Sequence, residues 1–453
     1  MNFRVLALLS GMKSLWNISA LKTLASNNIP AMCTSADREF SAQTRSMPPR
    51  GPRFNIGKAK SVDRGEEFKA EKSVLFPKIR KPLSGLPDIS KPHFTVLGIE
   101  TSCDDTGVAV LSSDGKILGE SLASQQSVHE SWGGVVPGLA MEAHREKIDE
   151  TIRLALNEAG MTSVAEIDAI AVTVGPGLEI CLRVGCEKAK KLAIEYEKPF
   201  VAVHHLEAHV MLARAPITEP FVPVNFPFLS LLISGGHCQL LLCKGVGDFV
   251  VLGGTLDDAL GEAFDKVARL LGLPVGGGGG PQVENRAKMG DPDSIKLPVP
   301  MAHKQGMNFS FAGLKNSFRM SLDNYKMENG VGDALPDEVV NNFAASFQRV
   351  AISHLEQRLG RAMEHCSSLG VDTLAVVGGV AANAEVRKRI EGLCESQDRK
   401  WKLVIPPPRL CTDNGVMIAW SAIEKLKLGI SNEISTQEVY PRIPLGPIAK
   451  EAE

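Results

Sequence analysis

Short apolar runs alternating with polar turns dominate the chain from Phe94 onward. FTVLGIE, the polar turn TSCDDT, GVAVLSS, an Asp114-Gly115 turn and KILGESLAS predict three short strands joined as an antiparallel meander. A helical stretch from about Leu139 to Ala159 follows, then a buried strand IDAIAVTVGPG, a Lys-rich helix near Cys186 to Glu197 and the strand FVAVHH. The second half repeats the pattern with FLSLLIS, the turn Ser234-Gly235-Gly236-His237, CQLLLCK, a Gly-Val-Gly-Asp turn, FVVLGGT and a helix from about Asp257 to Leu271. Long helices, the strand TLAVVGGV, a helix from about Asn383 to Glu395, the strand KLVIPPP and a final helix complete it. Such duplication predicts two similar α/β lobes, residues 93–225 and 226–453, with a cleft between them. Each lobe opens with a strand-turn-strand whose small or polar turn residues can bring backbone N–H groups to a phosphate. The expected fold is a duplicated two-lobe α/β architecture with a central nucleotide cleft.

At 453 residues the chain is long enough for two lobes and an appendage. No stretch approaches the roughly 18 consecutive apolar residues of a membrane-spanning helix, so no membrane role is expected. Fifty basic against 52 acidic side chains leave a formal charge of −2, so any polyanion must be gripped locally. The nine cysteines are odd in number and contain no C-x-x-C pair, as suits a reducing compartment. Residues 1–36 carry Arg4, Lys13 and Lys22 but no acid, and read as a mitochondrial transit peptide. A secretory signal is the rival, yet its apolar core from Val5 to Ser10 is short. Residues 37–92 read as a flexible basic linker.

In HHLEAH, His205 and His209 stand four residues apart, which on a helix puts both imidazoles on one face, suited to one divalent ion. Two capping or surface histidines are the plainer alternative. A zinc protease would need H-E-x-x-H, whereas Glu207 falls one place too late. Asp413 in CTDNG offers a third ligand or a helix N-cap, and the sequence leaves both open. Glycine clusters at 174–177, 234–236, 276–280 and 378–379 lie near predicted strand or helix ends, and together favour a nucleotide lying across the cleft.

The segments GIETSCDDTGVAV, GGVVPGLAMEAH, HHLEAH, ISGGHCQL, GEAFDKVARLLGLP, NFSFAGLKN, GGVAANAEVR and CTDNGVMIA resemble, in order, the signature blocks of the tRNA N6-adenosine threonylcarbamoyltransferase family. The resemblance extends over nearly all of residues 94–420, and the element order is likewise similar to the actin-like, sugar-kinase and heat-shock-chaperone ATPase superfamily, which implies a duplicated two-lobe fold with a central nucleotide cleft. It implies a metal-dependent acyltransferase that moves the threonylcarbamoyl group of threonylcarbamoyl-AMP to N6 of the adenosine immediately 3′ of the anticodon, in mitochondrial tRNAs reading codons that begin with A, releasing AMP. It further implies one divalent ion per subunit, zinc or iron, on His205, His209 and Asp413. Substrate contacts are implied for Leu232, Ile233, Ser234, Gly235, Gly236, Asp265, Gly280 and Asn383, and a homodimer in the mitochondrial matrix is expected. Without the resemblance, Asp265 reads as a polar helix-face residue and Asn383 as an N-cap. Three features depart from the pattern: Asp104-Asp105 where Asp-Glu is common, five glycines before Pro281, and Glu179 where a small or apolar residue is usual. No Ser-His-Asp or Cys-His arrangement suggests a covalent intermediate. The rivals are a small-molecule kinase or carbamoyltransferase of the same superfamily and a non-catalytic nucleotide-binding module. Lys188, Lys190 and Lys191, with Arg387, Lys388 and Arg389, are the candidate RNA contacts, and the basic linker from Arg45 to Lys81 is the next suspect.

Overall fold

The computed structural model describes residues 91–217, 222–275, 278–332 and 334–449. The transit peptide expected over 1–36 and the linker expected over 37–92, except its last two residues, lie outside them. In the first half the elements are β1 (Thr95–Glu100), β2 (Asp105–Ser112), β3 (Ile117–Ser124), the one-turn α1 (Gln126–His129), α2 (Pro137–Glu158), β4 (Ala169–Gly175), α3 (Glu179–Glu195), β5 (Phe200–His204) and α4 (His205–Leu212). The second half contributes β6 (Phe228–Ile233), β7 (Cys238–Gly245), β8 (Asp248–Gly254), α5 (Leu260–Leu270), α6 (Gly280–Ala287), α7 (Ala312–Asn329) and α8 (Asp337–Ser368). It ends with β9 (Thr373–Val377), α9 (Ala384–Glu395), β10 (Lys402–Val404), the short α10 (Pro408–Cys411) and α11 (Gly415–Lys427). Among these residues no helix is long and apolar enough to cross a membrane.

Two five-stranded sheets result, ordered β3-β2-β1-β4-β5 and β8-β7-β6-β9-β10, so the internal repeat is visible in the topology itself. In each, the opening strand pairs antiparallel with the next and parallel with the strand that follows a helix. This is the duplicated α/β arrangement of the actin-like fold. Central strands read as unbroken apolar runs because both faces are covered. Leu97 and Ile99 of β1 pack with Ile148, Ile152 and Leu192 of α2 and α3, whereas Val96 joins the core between the sheets. In β6, Leu229, Leu231 and Ile233 enter the core of the second half while Phe228 and Leu232 face the shared one. Full burial of each such side chain contributes about 1.5–3 kcal/mol.

Two positions differ from the sequence reading. α3 begins at Glu179, not near Cys186, because the Leu178 carbonyl accepts from the N–H groups of Cys181 and Leu182 at 3.0 and 2.9 Å, and Leu182 and Val184 are already buried. Helix α11, C-terminal to the division expected at residue 225, packs on β1, β2 and β4 of the first sheet. Glycine makes that approach feasible: a Cβ at Gly98 would meet the Ala419 nitrogen, and one at Gly415 would meet the backbone of Val108 and Ala109. This crossing sets the segment before α11 against the end of β5.

Candidate functional site

Strand β5, buried along its length, hands directly into α4, whose eight residues are all buried. With both imidazoles on one turn, the rings of His205 and His209 lie 4.9 Å apart at right angles. Across from them comes Asp413, between α10 and α11. Asn414 caps α11, its side chain accepting from Met417 N at 2.9 Å, so the capping duty falls on the next residue and Asp413 is left to the site. Its Oδ1 lies 3.1 Å from His209 Nε2 and 3.5 Å from His205 Nε2. The three side chains offer ligand atoms all within 4.8 Å of one another.

Sequence reasoning missed Glu100. This residue ends β1 fully buried, its Oε2 3.1 Å from His205 Nδ1, and it accepts from Thr173 Oγ1 and Ser102 N, each at 2.5 Å. The signal was an acid closing an otherwise apolar strand. With Nδ1–H given to Glu100, the His205 Nε2 is turned towards Asp413, the carboxylate–histidine arrangement that orients metal ligands. Burial alone would lower the His205 imidazole, but the Asp413 and Glu100 carboxylates push it up to about 9. Burial likewise opposes ionisation of Asp413, yet His205 and His209 hold its carboxyl well below the usual range. The site is therefore built to hold positive charge. His209 Nδ1 is buried with no hydrogen-bond partner, and the donor set of two imidazoles and a carboxylate suits zinc or iron. Glu100→Gln is expected to weaken Zn²⁺ binding about 10–100-fold in a chelator-competition titration. Unchanged affinity would remove Glu100 from the centre.

Glu207 leaves this face, as its spacing requires: it pairs with Lys425 at 2.9 Å and accepts from Gly247 N at 2.8 Å. The protease arrangement is absent. His237, in the adjoining turn, is a second residue the sequence did not single out. Burial, then the His205 and His209 imidazoles, pushes it down to about 4, so it stands neutral.

The glycine turns meet the site from the second sheet. Ser234 N donates to the His237 carbonyl at 2.8 Å and Ser234 Oγ accepts from His237 N at 3.2 Å, closing the turn. Helix α5 starts against it, with Gly261 N and Glu262 N donating to the Ser234 and Gly235 carbonyls, each at 3.2 Å. Leu232 and Ile233 bury their side chains in the cores, which leaves only their backbone to a ligand. Asp265 is turned towards the glycine-rich segment, its Oδ1 accepting from Gly279 N at 2.6 Å. The Gly280 N–H, at the start of α6, bonds to the same carboxylate. Asn383 caps α9, accepting from Glu385 N and Val386 N at 3.0 Å each, and its Nδ2 donates to Gln348 Oε1 at 3.1 Å. Its amide is engaged at both ends.

Most of the basic side chains proposed for RNA are committed within the protein. Lys188 pairs with Asp149, Lys190 donates to the Gln437 carbonyl, Arg387 donates to the Ala381 and Pro406 carbonyls, and Arg389 pairs with Glu356. Of the six, Lys191 and Lys388 are exposed. Nearby, burial and then the charge of Asp104 push Asp105 up to about 6 from its ordinary 3.8. The folded, metal-free chain keeps that proton where the unfolded chain has lost it, so stability falls as pH rises from about 4 to 6 and stays lower above. Asp105→Asn is expected to raise stability at pH 7.5 by about 1–2 kcal/mol after solvent screening and to flatten that window in urea melts.

A family profile described as TsaD, tRNA N6-adenosine threonylcarbamoyltransferase, matches residues 116–420. The chain is 43% identical over 382 residues to a probable mitochondrial tRNA N6-adenosine threonylcarbamoyltransferase of Arabidopsis thaliana, covering 80% of this chain and 78% of that one. It is 45% identical over 347 residues to the mitochondrial enzyme of that name in Xenopus tropicalis, covering 74% and 83%. With the Zymomonas mobilis enzyme it shares 41% over 363 residues, covering 80% and 94%.

Proposed function

The chain belongs to the tRNA N6-adenosine threonylcarbamoyltransferase family, and on that premise we propose that it moves the threonylcarbamoyl group of threonylcarbamoyl-AMP to N6 of the adenosine 3′ of the anticodon in mitochondrial tRNAs reading codons that begin with A. The observation that carries this reading is the convergence of His205, His209 and Asp413, from segments about two hundred residues apart, beside the Ser234 to His237 glycine turn. In the reaction the adenosine N6 attacks the carbamoyl carbon, the bond from that carbon to the phosphate oxygen breaks, the N6 proton is lost and AMP leaves. A divalent ion on the three side chains, zinc or iron, supplies Lewis-acid charge there when bound.

The remaining work falls to this chain's own groups. Glu100 keeps the proton of His205 on Nδ1, so that Nε2 stays a donor of electrons. Backbone N–H groups of Gly235 and Gly236 offset phosphate charge without reorganising. Asp265, by holding Gly279, shapes the opposite wall. Neither Cys103 nor Cys181 is an activated nucleophile: burial raises the Cys103 thiol far above its ordinary value, and burial pushes Cys181 up to about 11. Direct attack by the amine is the consequence.

Relatives named as mitochondrial support a mitochondrial location. We place the protein in the matrix as a homodimer, after removal of the N-terminal segment. Import of the full chain into isolated mitochondria should yield a shortened, protease-protected product, and retention of Met1 would count against it. The function itself is tested by incubating the purified chain with threonylcarbamoyl-AMP and unmodified tRNA, followed by nucleoside analysis. Threonylcarbamoyl-adenosine and AMP in equal amounts are expected. A carbamoylated or phosphorylated small molecule without an RNA product would favour the superfamily rivals.

A further inference from the structure

Beyond the matched segment, residues 430–449 run as a strap from the edge of one sheet to the edge of the other. Asn432 covers the outer side of β5, its N–H donating to the Phe200 carbonyl at 2.8 Å and its Oδ1 accepting from Ala202 N at 2.9 Å. Tyr440 N donates to the Val174 carbonyl at 2.7 Å and the Pro441 carbonyl accepts from Gly177 N at 3.2 Å. The strap passes so close that a Cβ at Gly175, whose φ is +151°, would collide with the Tyr440 backbone. After Leu445 enters the core between the sheets, Val251 N donates to the Pro447 carbonyl at 2.9 Å and Ala449 N to the Val251 carbonyl at 2.8 Å.

Between these anchorages the Ile443 carbonyl lies 3.3 Å from His204 Nε2. The other ring nitrogen, Nδ1, accepts from Leu206 N at 3.2 Å and Glu207 N at 3.4 Å, capping α4. A nitrogen that accepts N–H bonds carries no proton, so Nε2 is the protonated one and donates to Ile443. Ser, Thr, Asp or Asn would cap the helix as well. An imidazole adds a second nitrogen on the far side of the ring, and only that nitrogen reaches the strap. Helix α4 has just eight residues, about two turns, so its ends govern its rotation.

We propose that the strap is a positioning element of the metal centre, acting through the Ile443–His204 bond to fix α4 so that His205 and His209 face Asp413. The proposal rests on the reading of those three side chains as that centre. His204 is accordingly a positioning residue, and the C-terminal strap is part of the site through its Ile443 carbonyl.

Co²⁺ titration of the metal-stripped full chain, followed by visible absorption and chelator competition, tests this. His204→Asn keeps a cap but is too short to reach Ile443; it should hold the wild-type melting temperature yet lose about 10–100-fold in Co²⁺ affinity, with a changed absorption band. Leu445→Ala, which loosens the strap beside Ile443, should weaken Co²⁺ in the same way, and the double variant should bind no worse than His204→Asn alone, because both break one connection. Wild-type affinity and spectrum in His204→Asn, or losses that simply add, would overturn the proposal. If His204→Asn does not fold, Leu445→Ala decides alone, and unchanged affinity there overturns it. Asp413→Ala separates the two readings. Loss of Co²⁺ in Asp413→Ala with full affinity in His204→Asn sinks only the strap, whereas full affinity in Asp413→Ala sinks the metal centre and the strap with it.

Discussion

Asp413→Ala is expected to empty the site of metal and reduce threonylcarbamoyl transfer by more than a hundredfold, while the fold stands. Its carboxylate bridges towards both imidazoles at 3.1 and 3.5 Å, and Asn414 holds the cap of α11, so Ala at 413 removes a ligand without uncapping a helix. Losing a supporting group outside the ligand set costs about 10–100-fold in affinity or activity, and losing a ligand exceeds that. The double variant His205→Ala with His209→Ala should behave alike. Metal per chain by elemental analysis and single-turnover transfer give the readings, with circular dichroism as the control for folding. Stoichiometric metal in either variant would dismantle the three-residue centre.

Glu207→Ala should destabilise the protein by about 3–5 kcal/mol, because it takes the counter-charge away from a buried ammonium. Glu207 is 2% exposed at its side chain and Lys425 7%, and they meet at 2.9 Å. Lys425 also donates to the Ala202 carbonyl at 3.2 Å, and Glu207 accepts from Gly247 N, so the pair joins α4, α11, β5 and the β7–β8 turn. Glu207→Leu combined with Lys425→Met should recover most of the loss, since apolar residues of similar volume commonly replace a buried ion pair without penalty. About 1 kcal/mol should remain missing for the Gly247 N–H left without its acceptor. Urea unfolding of the metal-free chain measures both, and a single variant as stable as the parent would show that Lys425 finds water or another partner.

Local pattern was enough to determine the repeated strand-turn-strand units, because apolar periodicity and turn residues act over a few positions. It was also enough for the pairing of His205 with His209 and the exclusion of Glu207 from their face, since helical spacing alone governs both. What lay beyond it is non-local. That Asp413 lies beside the two imidazoles instead of capping a helix depended on Asn414 taking the cap and on α11 crossing to the first sheet, where Gly98 and Gly415 let the backbones meet. Glu100 reaches His205 only because β1 and β4 lie side by side, and the end of the glycine run was singled out by the carboxylate of Asp265, 14 residues before Gly279. Lys190, Arg387 and Arg389 read as candidate RNA contacts in the sequence, yet folding gives each a partner within the protein, a backbone carbonyl for the first two and Glu356 for the third. A residue's type limits what chemistry it can do, but which duty it performs is decided by the partners that folding brings within about 3 Å, and those partners stand tens to hundreds of residues away.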